Sequence, residues 1–429
     1  MTILLIPTET CKNRCKYCFE RIDVRDPEDP VPLDIMAMEK TLRQMLNTPK
    51  WKGSSIGMHG GECTLLERSD FEYLLRLQFN LIGHSSIQTS SNFIKEWMIR
   101  LFKKYNTRVG ISSDGPPELN ILRGPNPDNE NITKQYNAIV TKWLKRLPGE
   151  GVSTSVIAVL HTENAGNDKK LEILKEWLLN LKTWGVKAGR LNPMYATPWT
   201  KDYELSPERL GDVYCDLFDF VIEHGLRWNP LREMVDNLLG LELSPCTFGG
   251  CEYYPATTVA IWPDGTIGQC DRTFQEGLVP LVRSEDESGT KNRKIRSEAL
   301  RQTDCKDCDY WKICHGGCPA EAFDDDWRRK SRFCDAYKIT YDHINMRLHR
   351  MFPNIITMLD RDDIYEPLAR LTWWGSTKPS HYGAAPYREG AEIFRGQIKS
   401  DQQPLQPGEH GDQPHGDELH GDHTDDVGR

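Results

Sequence analysis

Up to about residue 200 the sequence alternates short β-branched runs with segments of helical period, and this alternation restricts the fold more than any other feature. The runs Ile3 to Pro7, Ser54 to Met58, Ser85 to Thr89, Arg108 to Ser112, Val152 to Leu160 and Val186 to Asn192 read as strands. Helices are predicted between them at Leu33 to Leu46, Ser69 to Gln78, Ile94 to Tyr105, Ile132 to Leu147 and Lys169 to Trp184. Strand then helix, repeated, requires a parallel sheet, because parallel neighbours need a long right-handed crossover. An open doubly wound sheet and a full or partial barrel both satisfy this α/β pattern. In each, chemistry belongs at the C-terminal ends of the strands.

The 429 residues hold more than this one unit. Helices near Glu208 to His224 and Asn229 to Leu241 lead into a stretch with few long apolar periods. That stretch carries a predicted hairpin, Val259 to Trp262 and Thr266 to Cys270 around the turn Pro263-Asp264-Gly265. A charged loop is expected at Arg283 to Lys294, and a helix from Ala336 to Met351. Beyond Phe352 the chain becomes rich in Pro and Gly, with one aromatic stretch, Leu371-Thr372-Trp373-Trp374-Gly375. The last segment, 401–429, is expected to be disordered. It repeats His410-Gly411-Asp412, His415-Gly416-Asp417 and His420-Gly421-Asp422, which reads as a solvated acidic tail, a weak metal-capturing segment or a self-presented substrate. The expected division is 1–205, 206–242 as a helical bridge, 243–352, 353–400 and 401–429.

The net charge of −9 is concentrated in that tail, whose eight acids and one Arg give −7 and leave −2 for the rest. No broad basic face remains, so nucleic-acid binding is not expected. No apolar run is long enough to span a membrane, and the start of the chain lacks a signal-peptide core, so the expected location is the cytoplasm.

Thirteen cysteines in a chain expected in the cytosol point to thiolate ligands rather than disulfides. Cys11, Cys15 and Cys18 directly follow the first strand. Thiolates at these spacings wrap one corner of a [4Fe–4S] cubane and leave the fourth iron open for substrate or cofactor. Zinc is the alternative, but it prefers four closed ligands and no fourth lies nearby. The run resembles the signature of the radical S-adenosylmethionine (SAM) superfamily, with Tyr17 at the aromatic position before the last Cys.

The resemblance covers about residues 1 to 195 and implies a partial (β/α)6 TIM-like barrel. His59-Gly60-Gly61-Glu62-Cys63-Thr64 is similar to the family's Gly-Gly-Glu motif, which contacts the SAM amino group. Two glycines allow close backbone approach and a carboxylate suits an ammonium. Cys63 stands where the family has Pro, either as packing or as an additional reactive thiol. Gln88-Thr89 and Ser112-Ser113-Asp114-Gly115-Pro116 resemble segments lining the SAM pocket. By that likeness Ser112 meets ribose or carboxylate oxygens, and Arg123 pairs with the SAM carboxylate.

Eight further cysteines lie between 246 and 334. Eight thiolates make two four-coordinate sites, which by count alone suit two zincs or two clusters. Their spacing resembles the SPASM extension of radical SAM enzymes. That resemblance implies one auxiliary [4Fe–4S] cluster on Cys246, Cys251, Cys270 and Cys318, and another on Cys305, Cys308, Cys314 and Cys334. Both are then closed and suited to moving electrons. Cys215 is left over as a buried helix residue. Asp271 matches the position of a catalytic base in anaerobic sulfatase-maturing enzymes; a turn-starting surface Asp is the alternative.

The resemblance therefore implies three [4Fe–4S] clusters, SAM, and hydrogen abstraction by a 5′-deoxyadenosyl radical. The expected activity is oxidative cross-linking or desaturation of a ribosomally synthesised peptide. The runner-up is formylglycine formation in a sulfatase. A non-catalytic multi-cluster electron carrier and a zinc-bound interaction module are the remaining alternatives. Expected partners are a peptide or protein substrate and an electron donor such as flavodoxin or ferredoxin. With Cys11 so close to the start, leader recognition is expected from a separate leader-peptide-binding protein, the SPASM region or the C-terminal segment.

Overall fold

The computed structural model describes residues 2–18, 32–186, 188–196, 200–240, 258–268 and 287–360, with only the backbone of 287–294. Its core is a parallel sheet in which each strand is followed by a helix. The strands are β1 (Thr2–Leu5), β2 (Ser55–Met58), β3 (Ser85–Thr89), β4 (Thr107–Ser112), β5 (Thr154–Leu160) and β6 (Ala188–Pro193). The intervening helices are α1 (Ile35–Leu46), α2 (Arg68–Ile82), α3 (Glu96–Lys104), α4 (Glu130–Gly149), the short α5 (Thr162–Ala165) and α6 (Asp168–Thr183). Every predicted strand and helix of this half is present within a few residues.

Local chemistry sets the boundaries. Asp34, Asn129 and Asn167 each cap a helix by accepting a hydrogen bond from a first-turn backbone N–H, at 2.9, 3.1 and 3.0 Å. Gly83 ends α2 in the left-handed conformation. In β5 burial alternates strictly, so Thr154, Val156, Ala158 and Leu160 face one side, and the last three pack into the main core.

The sheet runs further than the sequence suggests. After α7 (Pro207–Glu223), the residues Arg227–Asn229 form β7, which pairs with β6 in parallel and buries Trp228. The helix read at 229–241 is α8 (Leu231–Leu238). The hairpin forms as β8 (Thr258–Ile261) and β9 (Ile267–Gly268), but β8 lies parallel against β1, with Leu5 opposite Ile261. The resulting order is β7-β6-β5-β4-β3-β2-β1-β8-β9. The hairpin thus extends the main sheet beyond β1. Among the described residues the ladder ends at β7 and β9, and no pairing closes it into a barrel.

The stretch Arg283 to Lys294, expected as a charged loop, needs correction as well. From Glu287 it belongs to α9 (Glu287–Gln302). The helix is held where it buries Leu300 and Arg296, a tertiary anchor that the charge run hides. It is followed by α10 (Trp311–Cys314) and α11 (Cys334–Met351), and α11 packs along α7. The 353–400 extension is described only up to residue 360, and the acidic tail with its His-Gly-Asp repeats lies outside the described residues. No described helix is long and apolar enough to cross a membrane.

Candidate functional site

The loops that leave β1, β2, β3 and β4 converge at the C-terminal edge of the sheet. Beyond β1 the chain stays extended against the loop after β2: the N–H groups of His59, Gly61 and Glu62 donate to the carbonyls of Leu5, Thr8 and Thr10 at 2.8, 3.0 and 2.9 Å. This ladder leads directly into Cys11. It depends on the two glycines that follow His59 in the β2 loop. A Cβ on Gly60, whose φ is +100°, would lie 2.7 Å from the Thr8 carbonyl oxygen, and one on Gly61 would lie 2.4 Å from that of Thr10. Gly61→Ala is therefore expected to cost about 1–3 kcal/mol, since the obstructing atoms are backbone and cannot rotate away. A urea midpoint unchanged from the parent would show that the two loops are not locked together.

Glu62 is buried and fastens this loop to the end of β3. One carboxylate oxygen accepts from the Thr64 N–H at 3.2 Å and from the Thr64 and Thr89 hydroxyls at 2.6 Å each; the other accepts from the Ser90 N–H at 2.8 Å and from the Ser90 hydroxyl. Both oxygens are thus fully engaged within the chain, so contact with a SAM ammonium has to share them. Gln88 and Ser112 are brought together as neighbours on β3 and β4, the Gln88 amide donating to the Ser112 hydroxyl at 2.8 Å. Cys63 is buried, its thiol 3.4 Å from the Gln88 carbonyl oxygen, and burial followed by the Glu62 charge pushes it well above the usual thiol range. That placement makes it a packing residue. Cys215, expected to be buried, is only partly so; it lies on α7 against α11, 3.7 Å from the Ile339 carbonyl oxygen.

The loop carrying Cys11, Cys15 and Cys18 is pinned from three sides, by Tyr17 and by residues that the sequence did not single out. Asn13, 1% exposed, donates to the Ser90 hydroxyl at 2.8 Å and accepts from the Asn92 amide at 3.0 Å. The N–H groups of Arg14 and Lys16 donate to the carbonyls of Gly124 and Leu122 at 2.8 and 2.9 Å. The Tyr17 hydroxyl donates to Asp114.

Asp114 is the hub of this arrangement. It is fully buried, its Oδ2 is 2.9 Å from Arg123 Nε and 3.5 Å from His161 Nε2, and its Oδ1 accepts from the Val159 N–H at 2.9 Å. The Arg123 guanidinium stacks over the Tyr17 ring at 5.2 Å. Arg123, expected to meet the SAM carboxylate, is thus already paired with a carboxylate of this chain. Burial alone raises a carboxyl pKa, but Arg123, His161 and Tyr17 outweigh it and hold Asp114 at about 2.

Five cysteines of the second set are among the described residues. Cys305, Cys308, Cys314 and Cys334 line one cavity, together with Asp304, Tyr310 and Lys338. Cys318 does not line it. Burial, then the neighbouring thiols, pushes Cys305 up to about 12, and burial does the same to Cys314. Among the described residues no group of three or more His, Cys, Asp or Glu side chains is gathered closely enough to hold a metal ion as it stands. The four thiols instead surround shared space, which suits a cluster that takes them up as thiolates. The three N-terminal thiols, all partly exposed on one short loop, are the donor type that such a cluster needs. Cys246, Cys251, Cys270 and Asp271 lie outside the described residues.

The loop between Cys314 and Cys318 is shaped by Arg296. Its guanidinium, buried beneath α9, donates to the carbonyls of Trp327, His315, Gly316 and Arg329 at 2.7 to 3.2 Å.

Residues 5–173 match the family model of the radical SAM superfamily. This span of the chain is a radical SAM domain. Enzymes of this superfamily work with a [4Fe–4S] cluster and SAM, and the matched span contains the Cys11, Cys15, Cys18 loop and the whole Asp114 hub. Over 382 residues the chain is 23% identical to a cysteine-type anaerobic sulfatase-maturating enzyme of Clostridium perfringens, covering 83% of this chain and 99% of the relative. Its fold is shared with native anSMEcpe solved with bound AdoMet and the Cp18Cys peptide, at 20% identity and a TM-score of 0.63 over 82% of this chain and 99% of that one. It is shared also with Streptococcus suis SuiB bound to the precursor peptide SuiA, at 20% identity and a TM-score of 0.55, covering 77% and 74%.

Proposed function

We propose that this radical SAM enzyme is a maturase that oxidatively cross-links or desaturates a ribosomally synthesised peptide. The observation that supports this most is the cysteine loop itself, three thiols pinned at the sheet's C-terminal edge in a fold that relatives use on peptides. Cys11, Cys15 and Cys18 hold the SAM-binding cluster. Bound there, the reduced cluster and SAM supply a 5′-deoxyadenosyl radical that removes a hydrogen atom from the substrate.

The remaining work belongs to the chain. The Gly60-Gly61 backbone and Glu62 form the wall that meets the SAM amino group, while Tyr17, Gln88, Ser112 and Arg123 line the rest of the pocket and keep water from it. Cys246, Cys251, Cys270 and Cys318, and Cys305, Cys308, Cys314 and Cys334, would hold two further clusters, which would supply an acceptor for the electron left when a product bond forms. A flavodoxin or ferredoxin supplies the reducing electron, and leader recognition falls to a separate protein, the SPASM region or the C-terminal segment.

A second reading, formylglycine formation with Asp271 as the base, draws support from the length over which the Clostridium perfringens sulfatase-maturating enzyme aligns.

The test uses the reconstituted full chain with SAM and dithionite under anaerobic conditions. On the first reading, a peptide captured with the enzyme from its own cells becomes about 2 Da lighter, the loss of two hydrogens, without gaining an aldehyde. Conversion of the Cp18Cys peptide to an aldehyde-bearing product that reacts with a hydrazide probe makes the second reading correct. Absence of 5′-deoxyadenosine with every substrate sinks both.

A further inference from the structure

We propose that Lys338 is a positioning charge that sets the reduction potential of the group held by Cys305, Cys308, Cys314 and Cys334. The inference rests on the reading that these four thiols carry an auxiliary [4Fe–4S] cluster, and it adds a residue that is not a ligand. Lys338 lies four residues beyond Cys334 on α11, so the two side chains share one helical face. Both line the thiol cavity. The ammonium of Lys338 lies 5.7 Å from the centre of the Tyr310 ring, another wall of the same cavity, which keeps the charge turned toward the thiols.

Among the residues lining that cavity Lys338 is the only cation and Asp304 the only carboxylate. Asp304 does not cancel Lys338. It is paired with Arg329 at 2.7 Å and also accepts from the Lys330 N–H at 3.1 Å. Asp335, beside Cys334 on α11, opposes Lys338 there, while Lys330 acts on Cys334 with the same sign as Lys338. Reduction of a closed four-thiolate cluster adds one electron to a group that is already anionic, and a fixed cation beside it stabilises the reduced form more than the oxidised form. Removing the cation lowers the potential. A higher potential suits a cluster that must accept an electron from a substrate radical rather than pass one on to SAM.

The experiment compares the full-length reconstituted enzyme with Lys338→Met, which keeps the side chain's length without its charge, and Lys338→Arg, which keeps the charge. Iron and sulfide are counted first, and EPR-monitored potentiometric titration follows. Cys305→Ala identifies which signal belongs to this site. The expected result is at least a tenfold shift toward the oxidised form in Lys338→Met, equal to 59 mV for a one-electron couple, with Lys338→Arg close to the parent. Full cluster content with an unmoved midpoint in Lys338→Met overturns the proposal. If Lys338→Met does not retain the cluster, Lys338→Gln is titrated in its place and judged by the same shift. A Cys305→Ala protein that keeps all its iron and every signal overturns the cluster reading instead, so the two failures are distinct.

Discussion

Asp114→Asn is expected to destabilise the protein by about 3–5 kcal/mol, because it leaves the Arg123 guanidinium buried without its counter-charge. That is a large part of the 5–15 kcal/mol typical of a folded domain. The double variant Asp114→Asn with Arg123→Met removes the stranded charge and is expected to recover at least half of the loss. Urea unfolding of the apoproteins measures both. Strictly additive losses would show that the two residues do not act as a unit. The pair also has a pH signature. Asp114 has a folded-state pKa depressed from the ordinary 3.8 to about 2, so its contribution is fully present above about pH 4 and is lost as the pH falls toward 2. The corresponding free energy is about 2 kcal/mol, and the stability difference between parent and Asp114→Asn narrows by about that amount across the window. Above pH 5 the difference is expected to stay flat.

The hub explains what the sequence could and could not disclose. Strands such as β1, β3 and β5 were legible because their half-buried runs keep a period of two, and helices such as α1 and α6 because a polar cap sits where a periodic apolar stripe begins. The Cys11, Cys15, Cys18 loop stood out by its spacing, whereas the grouping of Cys305, Cys308, Cys314 and Cys334 came only from the resemblance to the SPASM extension, because Cys318 lies between its members in sequence. Asp114 stood out only as one member of the segment Ser112-Ser113-Asp114-Gly115-Pro116. Its partners Tyr17, Arg123, Val159 and His161 are spread across more than a hundred residues, and no local pattern links them. The one signal on offer was an excess of polar residues, Asn120, Asn137, His161 and Asn164, at positions that the fold buries. Two elements were missed for different reasons. β7 is three residues long, too short for any period. In α9 the charged surface dominates the pattern, while the helix is fixed by Arg296 reaching four carbonyls from distant loops. The pairing of β8 with β1 is the same kind of omission, because a parallel partner more than two hundred residues away leaves no local trace.

The Cys11→Ala, Cys15→Ala, Cys18→Ala triple variant is expected to lose 5′-deoxyadenosine formation below detection while the chain stays folded. The structure separates the two outcomes. The loop's position depends on Asn13, on the N–H groups of Arg14 and Lys16, and on Tyr17, none of which the substitutions touch. The three thiols themselves are partly exposed, so their loss is expected to change the apoprotein's stability by no more than about 0.5 kcal/mol. Iron should fall by one cubane's worth after reconstitution, with the EPR signal that responds to SAM absent and the remaining signals present. Electron transfer between dithionite and the remaining clusters should persist. The same variant decides between an enzyme and an electron carrier with three clusters, since a carrier should keep its function without the open cluster. Continued 5′-deoxyadenosine formation by the triple variant would remove Cys11, Cys15 and Cys18 from the chemistry. Loss of folding in the apoprotein would instead show that the thiols hold the loop, contrary to the hydrogen bonds that surround it.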